Sequence, residues 1–276
     1  DVIAKLPNEA RQIINSDAKI INRLGSNALA NYLLVNKGVY ATDEDVPVNP
    51  ATGERMKAAN NKNNGYVYMQ AGDPIWVDVN GDYIIDDKDK VVVGNSQPRL
   101  TGGFNANLRY KSFSINTNFS FTIKRDIINK ALADRFAAYG NPLSKDLNGS
   151  GAITPIEAFD FWKEDHKYAK YPNPFDYIRG GTADHQVNFF RPDQTLFMED
   201  GSFLKINGVS ISYVLPKKVL DFLRVERVQL NASVNNIYTF SKYSGVNPEN
   251  VNSLGYDVSG GYPNSRNYTM GVSIDF

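Results

Sequence analysis

The sequence predicts an all-β protein whose strands form part of a transmembrane antiparallel β-barrel. Two observations lead to this prediction. Apolar and polar residues alternate over several segments of about ten residues, and short and long connections between these segments follow each other in turn. A strand that crosses a bilayer at a tilt needs roughly 9–11 residues, and it presents one face to lipid and the other to water.

The clearest alternation lies between Phe113 and Ile123. The odd positions are apolar except for one threonine, and the even positions are Ser, Asn or Thr. The segment 104–110 alternates in the same way, and only Lys111 and Ser112 separate the two. Two strands joined by so short a turn form an antiparallel hairpin.

Other segments repeat this pattern along the chain. They are 209–215, 228–235 (running on toward Phe240), 268–276 and, more weakly, Leu29 to Val35. The last segment has an apolar face that ends on an aromatic residue, made of Tyr268, Met270, Val272, Ile274 and Phe276. This resembles the signal by which outer-membrane proteins are recognised for barrel assembly, although an ordinary amphipathic strand can also end in Phe.

The connections between these strands differ in length. Segments 111–112 and 216–226 are short, whereas 37–100, 124–202 and 241–266 are long and rich in Gly, Pro, Asn and Asp. Short turns on one side and long loops on the other are typical of outer-membrane barrels. The alternative, a soluble β-sandwich, has strands of about 5–6 residues and seldom contains a long structureless loop.

Too few strands are predicted for a complete transport barrel, which takes about 22. The chain also begins at Asp1 without a signal-peptide pattern. We therefore expect a fragment or a processed chain, with the other strands in a missing N-terminal part or in other subunits.

Composition excludes several kinds of protein. Lys+Arg and Asp+Glu both number 30, so the chain lacks the basic excess of a nucleic-acid surface. Without cysteine it has no disulfides or thiolate metal sites. Its two histidines, His166 and His185, accompany no nucleophile, H-E-x-x-H or phosphate-binding glycine motif. We predict that the protein is not an enzyme and binds no organic cofactor.

An acidic segment between residues 78 and 89 has the spacing of a cation-binding loop. Oxygen ligands at positions 1, 3, 5, 7, 9 and 12 suit Ca²⁺, or Mg²⁺, with a backbone carbonyl at position 7. The corresponding residues are Asp78, Asn80, Asp82, Ile84, Asp86 and Asp89. Tyr83 replaces the usual glycine and Asp89 the usual glutamate, so an Asp-rich surface turn is the alternative to a structural cation.

Aromatic residues in 124–202 lie among polar and charged residues, a mixture that suits contact with cargo. Flat rings stack on the C–H faces of sugars, but they are equally common at protein interfaces, and they can also pack a long loop against itself. The candidates are Tyr139, Trp162, Tyr168, Tyr171, Phe175 and Tyr177.

Several ordered motifs resemble the SusC/RagA family of TonB-linked outer-membrane transporters of Bacteroidetes. They lie at 72–95, 98–104, 198–206, 235–243 and 262–269, followed by the terminal Phe276. They include the run Gly72-Asp73-Pro74, the acidic loop and the sequence Glu199-Asp200-Gly201-Ser202.

The resemblance implies that residues 1–276 are the C-terminal part of a barrel in the bacterial outer membrane, and that the plug and the N-terminal strands are absent from this chain. It implies a SusD-like surface lipoprotein as partner and TonB as the source of energy, through the missing part. The implied cargo is oligosaccharide or, in some members, oligopeptide. A soluble, calcium-stabilised glycan-binding β domain is the alternative from a different class.

Overall fold

The computed structural model describes residues 12–14, 20–23, 30–60, 65–140, 156–175, 178–179, 187–252, 254–257 and 264–276. The chain divides into two compact units. The first, called the loop unit, comprises Asp1–Ser96, Ile128–Met198 and Asn252–Val258. The second, called the sheet unit, comprises Gln97–Ile127, Glu199–Val251 and Ser259–Phe276. Among the helices of these described ranges, none is both long and apolar enough to cross a membrane.

The elements follow one another in this order. The strands are β1 Gln12–Ile14, β2 Ile20–Arg23, β3 Ala30–Leu33, β4 Asn36–Val39, β5 Lys57–Asn60, β6 Gly65–Tyr68, β7 Pro74–Trp76, β8 Ile84–Ile85, β9 Val91–Val92, β10 Leu100–Tyr110, β11 Phe113–Ile123, β12 Asp126–Ile128, β13 Ile178–Arg179, β14 Val187–Asn188, β15 Met198–Asp200, β16 Phe203–Val214, β17 Arg227–Ser241 and β18 Asn267–Asp275. The α-helices are α1 Lys130–Gly140 and α2 Lys217–Leu223. Short 3-10 helices span Asp43–Asp45, Asp87–Asp89, Ile156–Ala158 and Thr195–Phe197.

The sheet unit is built on a five-stranded antiparallel sheet with the order β10-β11-β16-β17-β18. Its strands have 9 to 15 residues. The predicted hairpin is confirmed, because Tyr110 pairs with Phe113 across the two-residue turn. Lys111 in that turn has a φ of 53°, which is the left-handed conformation that tight hairpins require.

Strand β16 is longer than the sequence predicts because a β-bulge interrupts its alternation. The register shifts between Ile206 and Gly208, so the apolar face uses even positions before the bulge and odd positions after it. A reading of strict period 2 therefore finds only the part from Val209 onward. A Cβ atom at Gly208 would lie 2.8 Å from the Asn235 Oδ1 atom and 3.3 Å from the Val234 carbonyl oxygen, so a larger residue there would displace the Asn235 side chain.

The loop unit has two hydrophobic cores of its own. The Phe136 core contains Leu33, Ile128, Leu132, Ala133, Phe136, Phe161, Tyr171, Phe190, Phe197 and Tyr256. The Trp76 core contains Leu34, Tyr40, Val46, Met56, Ala58, Met69, Trp76, Ile85, Val187 and Phe189. These cores correct the interpretation of 37–100 and 124–202 as loops, because both segments contain short strands with buried side chains, and 124–202 also contains helix α1.

Helix α1 is positioned by its apolar face. Leu132, Ala133 and Phe136 are buried, which is the spacing of one face of a helix. The Asn129 Oδ1 atom accepts a hydrogen bond of 3.0 Å from the Leu132 backbone N–H group. A side-chain acceptor at this point satisfies one of the free N–H groups of the first turn.

Candidate membrane-facing sheet and loop surface

One face of the five-stranded sheet is almost wholly apolar. Residues directly opposite each other in antiparallel strands lie on the same face, so the pairing defines its rows. The rows are Phe113, Tyr213, Leu230 and Val272; Ile115, Ile211, Ala232 and Met270; and Thr117, Val209, Val234 and Tyr268. Most of the large side chains of these rows are exposed, among them Met270 at 87%.

Aromatic rings lie near both ends of this apolar face. Phe113 and Tyr213 are 4.4 Å apart between ring centroids at one end, and Phe104 and Phe119 are 4.4 Å apart toward the other. At about 3.4 Å per residue, the two ring pairs are separated by roughly 20 Å along the strands. This is close to the apolar band of roughly 25 Å, flanked by aromatic girdles, that a transmembrane barrel presents to lipid.

The opposite face is polar and carries part of the segment that follows β17. Ser120 Oγ lies 3.2 Å from Asn207 Oδ1. The buried ammonium group of Lys205 forms an ion pair of 2.6 Å with Glu249, which attaches this segment to the face. A sheet with one face suited to lipid and the other to water is what the sequence predicts.

The final strand keeps its predicted apolar residues on the lipid-compatible face. Tyr268, Met270, Val272 and Ile274 follow one another on β18, with Phe276 just after it. Within the described part of the chain, β10 and β18 each pair with the sheet on one side only. Recognition of this strand as an assembly signal stays a prediction.

The acidic loop folds around hydrogen bonds between its carboxylates and its own backbone. Asp78 accepts from the N–H groups of Gly81 at 2.7 Å and Tyr83 at 2.8 Å. Asp82 Oδ1 accepts from the Ile84 N–H group at 2.8 Å. Tyr83 adopts a φ of 62°, the strained conformation expected where a cation-binding loop normally has glycine.

The second half of the loop is organised in the same way. Asp86 caps the 3-10 helix by accepting from the Lys88 N–H group at 2.6 Å. The buried Asp89 accepts from the N–H groups of Val79 and Asp86 at 2.9 and 2.8 Å, and burial raises its pKa. Among the described residues, no three acidic or histidine side chains are grouped so that they could hold a metal ion. A cation at Asp78, Asn80, Asp82, Ile84, Asp86 and Asp89 stays a prediction.

A buried ion-pair cluster holds the acidic loop against a later part of the loop unit. The carboxylate of Asp193 contacts Lys90 Nζ at 2.7 Å and Arg191 Nε at 2.6 Å, and Asp87 also pairs with Lys90 at 2.8 Å. Burial alone would raise the pKa of Asp193, but the charges of Arg191 and Lys90 outweigh it and hold the pKa below its ordinary value.

The buried side chain of Gln194 adds hydrogen bonds between the segment around Asp193 and earlier parts of the loop unit. Its Oε1 atom accepts from Trp76 Nε1 at 2.7 Å and from Asn36 Nδ2 at 3.2 Å. Its Nε2 atom donates to the carbonyl oxygens of Phe189 and Arg191. Sequence reasoning missed both Asp193 and Gln194, because neither lies in a motif or in a periodic segment.

The predicted aromatic contacts separate into buried and exposed rings. Tyr168 is 90% exposed and Phe175 is 70% exposed, so both are available to a ligand. Trp162 and Tyr171 are 9% and 7% exposed, which corrects the expectation that they form a contact surface. Tyr171 packs 4.8 Å from the ring of Phe136, and Trp162 Nε1 donates to the Ala41 carbonyl. Tyr139 has no described side chain, and Tyr177 lies outside the described residues.

A second exposed aromatic pair was not predicted. Tyr66 and Tyr68 are 52% and 50% exposed on the same face of strand β6. Lys57 Nζ lies 4.9 Å from the centre of the first ring and 5.9 Å from that of the second. The Tyr68 hydroxyl is 3.2 Å from Glu54 Oε1. The alternation of β6 is the signal for this pair, but it extends over only four residues, too few to predict a strand from period 2.

The histidines do not form a catalytic arrangement in the described ranges. His166 Nε2 lies 2.7 Å from Asp160 Oδ1, and this hydrogen bond is the largest cause that lowers the pKa of Asp160. Both side chains are about half exposed. His185 lies outside the described residues. The prediction that the protein is not an enzyme stays a prediction.

Comparisons with known proteins relate the chain to transport receptors. No family model matches. TonB-dependent receptors P3 and P39 of Formosa agariphila are each 26% identical to it, over 74% and 81% of the chain. The TonB-dependent receptor SusC of Bacteroides thetaiotaomicron is 26% identical over 78% of the chain. The chain covers 19%, 20% and 19% of the lengths of these three receptors, respectively.

Solved structures support the same fold. The RagAB peptide importer in its open-open state matches 99% of this chain and 25% of that one, with a TM-score of 0.62 at 20% identity. A separate structure of the RagAB peptide transporter matches 96% of the chain at the same TM-score. The chain is thus similar in sequence to about a fifth of the length of TonB-dependent receptors, SusC among them, and similar in fold to part of the RagAB transporter.

Proposed function

We propose that this chain forms part of a transporter that imports oligosaccharides across the bacterial outer membrane with energy supplied through TonB. The observation that carries the proposal is the sheet with two unlike faces, one apolar between aromatic rings and one polar. Such a sheet separates lipid from a wet lumen. Because the chain covers about 19% of its curated relatives, the plug and the TonB-contacting segment would be supplied by the rest of the receptor.

The loop unit would supply contacts for cargo and for a SusD-like surface lipoprotein. Exposed aromatic rings lie on a scaffold with its own cores, as in Tyr66, Tyr68, Tyr168 and Phe175. A rigid scaffold presents these rings with little entropic cost on binding. Lys57 and Glu54 beside the tyrosine pair provide a donor and an acceptor for sugar hydroxyls.

Oligopeptides are the second candidate cargo. The solved structures that share this fold are of a peptide importer, and aromatic rings beside charged groups also suit peptide side chains. The two cargo classes require the same transporter fold, so only a transport measurement separates them.

Growth of cells that depend on the full receptor tests the proposal. We expect growth on one or more oligosaccharides as sole carbon source and its loss when the receptor gene or TonB is removed. In the purified receptor, Tyr168→Ala should weaken cargo binding by roughly three- to tenfold, the value of one aromatic contact. Val48→Ala, at an exposed aliphatic residue of the same unit, is the control.

Growth on defined peptides but not on oligosaccharides would favour the second cargo. Unchanged uptake of both classes after removal of the receptor, in cells that otherwise express it in the outer membrane, would contradict the proposed function.

A further inference from the structure

Helix α2 presents apolar side chains outward although it lies in a short turn of the sheet unit. Phe222 is 85% exposed, Leu223 48% and Val219 38%, whereas Leu220 is partly buried. At roughly 100° per residue, these four residues share one side of the helix. Lys217, Lys218 and Asp221 occupy the other side. A helix with this division is amphipathic, but its apolar side is not covered by the described protein.

The helix lies at a definite end of the sheet. It connects β16 to β17, and the Val214 N–H group donates to the Ser112 carbonyl oxygen in the hairpin turn between β10 and β11. At the same end, the Glu226 N–H group donates to the Asp275 carbonyl oxygen of β18. The aromatic pair Phe113 and Tyr213 belongs to this end of the apolar face. The helix is therefore next to the border of the lipid-compatible band.

The apolar face of β17 changes in exposure toward the connection that contains α2. Val228 and Leu230 both lie on the apolar face of β17, yet Val228 is 6% exposed and Leu230 is 43% exposed. The fall in exposure occurs toward the segment that contains α2. The outward side chains of α2 therefore lie at the end of the sheet where the apolar face of β17 begins.

Basic residues surround this end of the sheet. Lys111, whose Nζ lies 5.3 Å from the centre of the Tyr110 ring, belongs to the adjacent turn. Lys217, Lys218, Arg224 and Arg227 lie in or beside the connection, against the acidic Asp221, Glu226 and Asp275. An apolar helix face among excess cations matches the boundary between anionic headgroups and acyl chains.

We propose that α2 is an interfacial helix that inserts Val219, Phe222 and Leu223 into the headgroup–acyl boundary of the leaflet at this end of the sheet. The insertion fixes the depth of β16 and β17 in the membrane. The occupant of the exposed face is phospholipid, because the helix lies at the end of the lipid-compatible band and is bordered by cations. This inference rests on the membrane-facing assignment of the sheet.

Fluorescence quenching in the full receptor tests the proposal. Residues 1–276 contain no cysteine, so Phe222→Cys introduces a single cysteine into this part of the receptor, and a bimane label is attached to it. The labelled receptor is placed in bilayers that contain lipids brominated near the headgroup or near the bilayer centre. We expect roughly half or more of the fluorescence to be lost with the shallow bromines, because interfacial helices insert roughly 5–10 Å. Deep bromines and aqueous iodide should quench it less.

Two matched positions make the result decisive. Asp221→Cys, on the polar side of the same helix, should be quenched by iodide and little by either bromolipid. Met270→Cys, in the middle of the apolar face, should be quenched by the deep bromines. If Phe222→Cys behaves like Asp221→Cys while Met270→Cys is quenched by the bromolipids, the proposal that α2 is an interfacial helix is refuted, and the membrane-facing assignment of the sheet still stands. If Met270→Cys is also quenched only by iodide, the membrane assignment fails with it.

Discussion

Replacement of Asp193 by asparagine should destabilise the loop unit by about 3–5 kcal/mol, the cost of removing one partner from a buried ion pair. The carboxylate of Asp193 is the shared partner of Lys90 and Arg191. Lys90 is fully buried, so its charge would lose most of its compensation. Because Asp87 still contacts both cations, we expect a value toward the lower end of this range.

Hydrogen exchange of the full receptor in detergent measures this effect. Amides of β3, β9 and the segment around 187–197 should exchange faster in Asp193→Asn. Lys90, next to β9, contacts Asp193 in this cluster, and β9 pairs with β3. The control is Asp134→Asn, which removes an ion pair with Lys130 on the exposed surface of helix α1 in the same unit. A surface pair of this kind contributes about 0–1 kcal/mol. Equal exchange in the two variants would contradict the role assigned to the cluster.

The pKa of Asp193 also predicts how the stability contributed by this ion-pair cluster changes with acid. Its folded pKa lies below its ordinary value, so ionised Asp193 stabilises the folded loop unit at pH values above about 4, the unfolded pKa. The contribution decreases as the pH falls from there toward the folded pKa. In Asp193→Asn this part of the acid destabilisation should be absent.

Replacement of Phe136 by alanine should destabilise the loop unit by about 3–5 kcal/mol, because it opens a cavity in a packed core. The ring of Phe136 is fully buried. Its centroid lies within 4.8 Å of those of Phe159, Phe161 and Tyr171, and slightly farther from Phe190 and Phe197. The mutation thus removes edge-to-face contacts as well as buried area.

Limited proteolysis of the folded receptor shows whether this core supports the long connections. Phe136→Ala should be cleaved faster between residues 128 and 198, while the strands of the sheet unit stay protected. Phe175→Ala is the matched control, because it deletes the same ring from a 70% exposed position and should change the cleavage rate little. Similar cleavage of both variants would mean that the segment 124–202 is a loop without a core, as the sequence suggested.

The sheet could be predicted from the sequence because each of its strands has one face toward lipid and one toward water. This requirement makes apolar and polar residues alternate along each strand, as in 113–123. The predicted strand begins at Val209, whereas β16 begins at Phe203, because the bulge at Gly208 reverses the phase of the alternation. The register of β16 against β11 depends on that bulge and on long-range pairing, neither of which periodicity encodes.

The loop unit could not be predicted in the same way. Its strands have two to four residues, and its cores combine distant parts of the chain, since Leu33, Phe136 and Phe197 belong to the same core. Composition identified the aromatic residues of 124–202 but could not distinguish Tyr168, which is exposed, from Tyr171, which is buried. The acidic spacing from Asp78 to Asp89 predicted a cation-binding loop, which stays a prediction, and spacing does not reveal that its carboxylates accept hydrogen bonds from backbone N–H groups.

The central claim is that the two faces of the sheet contact lipid and water, and spin labels along β11 test it most directly. Single cysteines from 113 to 123 in the full receptor are labelled in bilayers, and collision with oxygen and with a water-soluble nickel complex is measured. The account predicts high oxygen and low nickel accessibility at odd positions near the middle of the strand, and the reverse at even positions. Equal nickel accessibility at odd and even positions would show that both faces meet water and would contradict a membrane-spanning sheet.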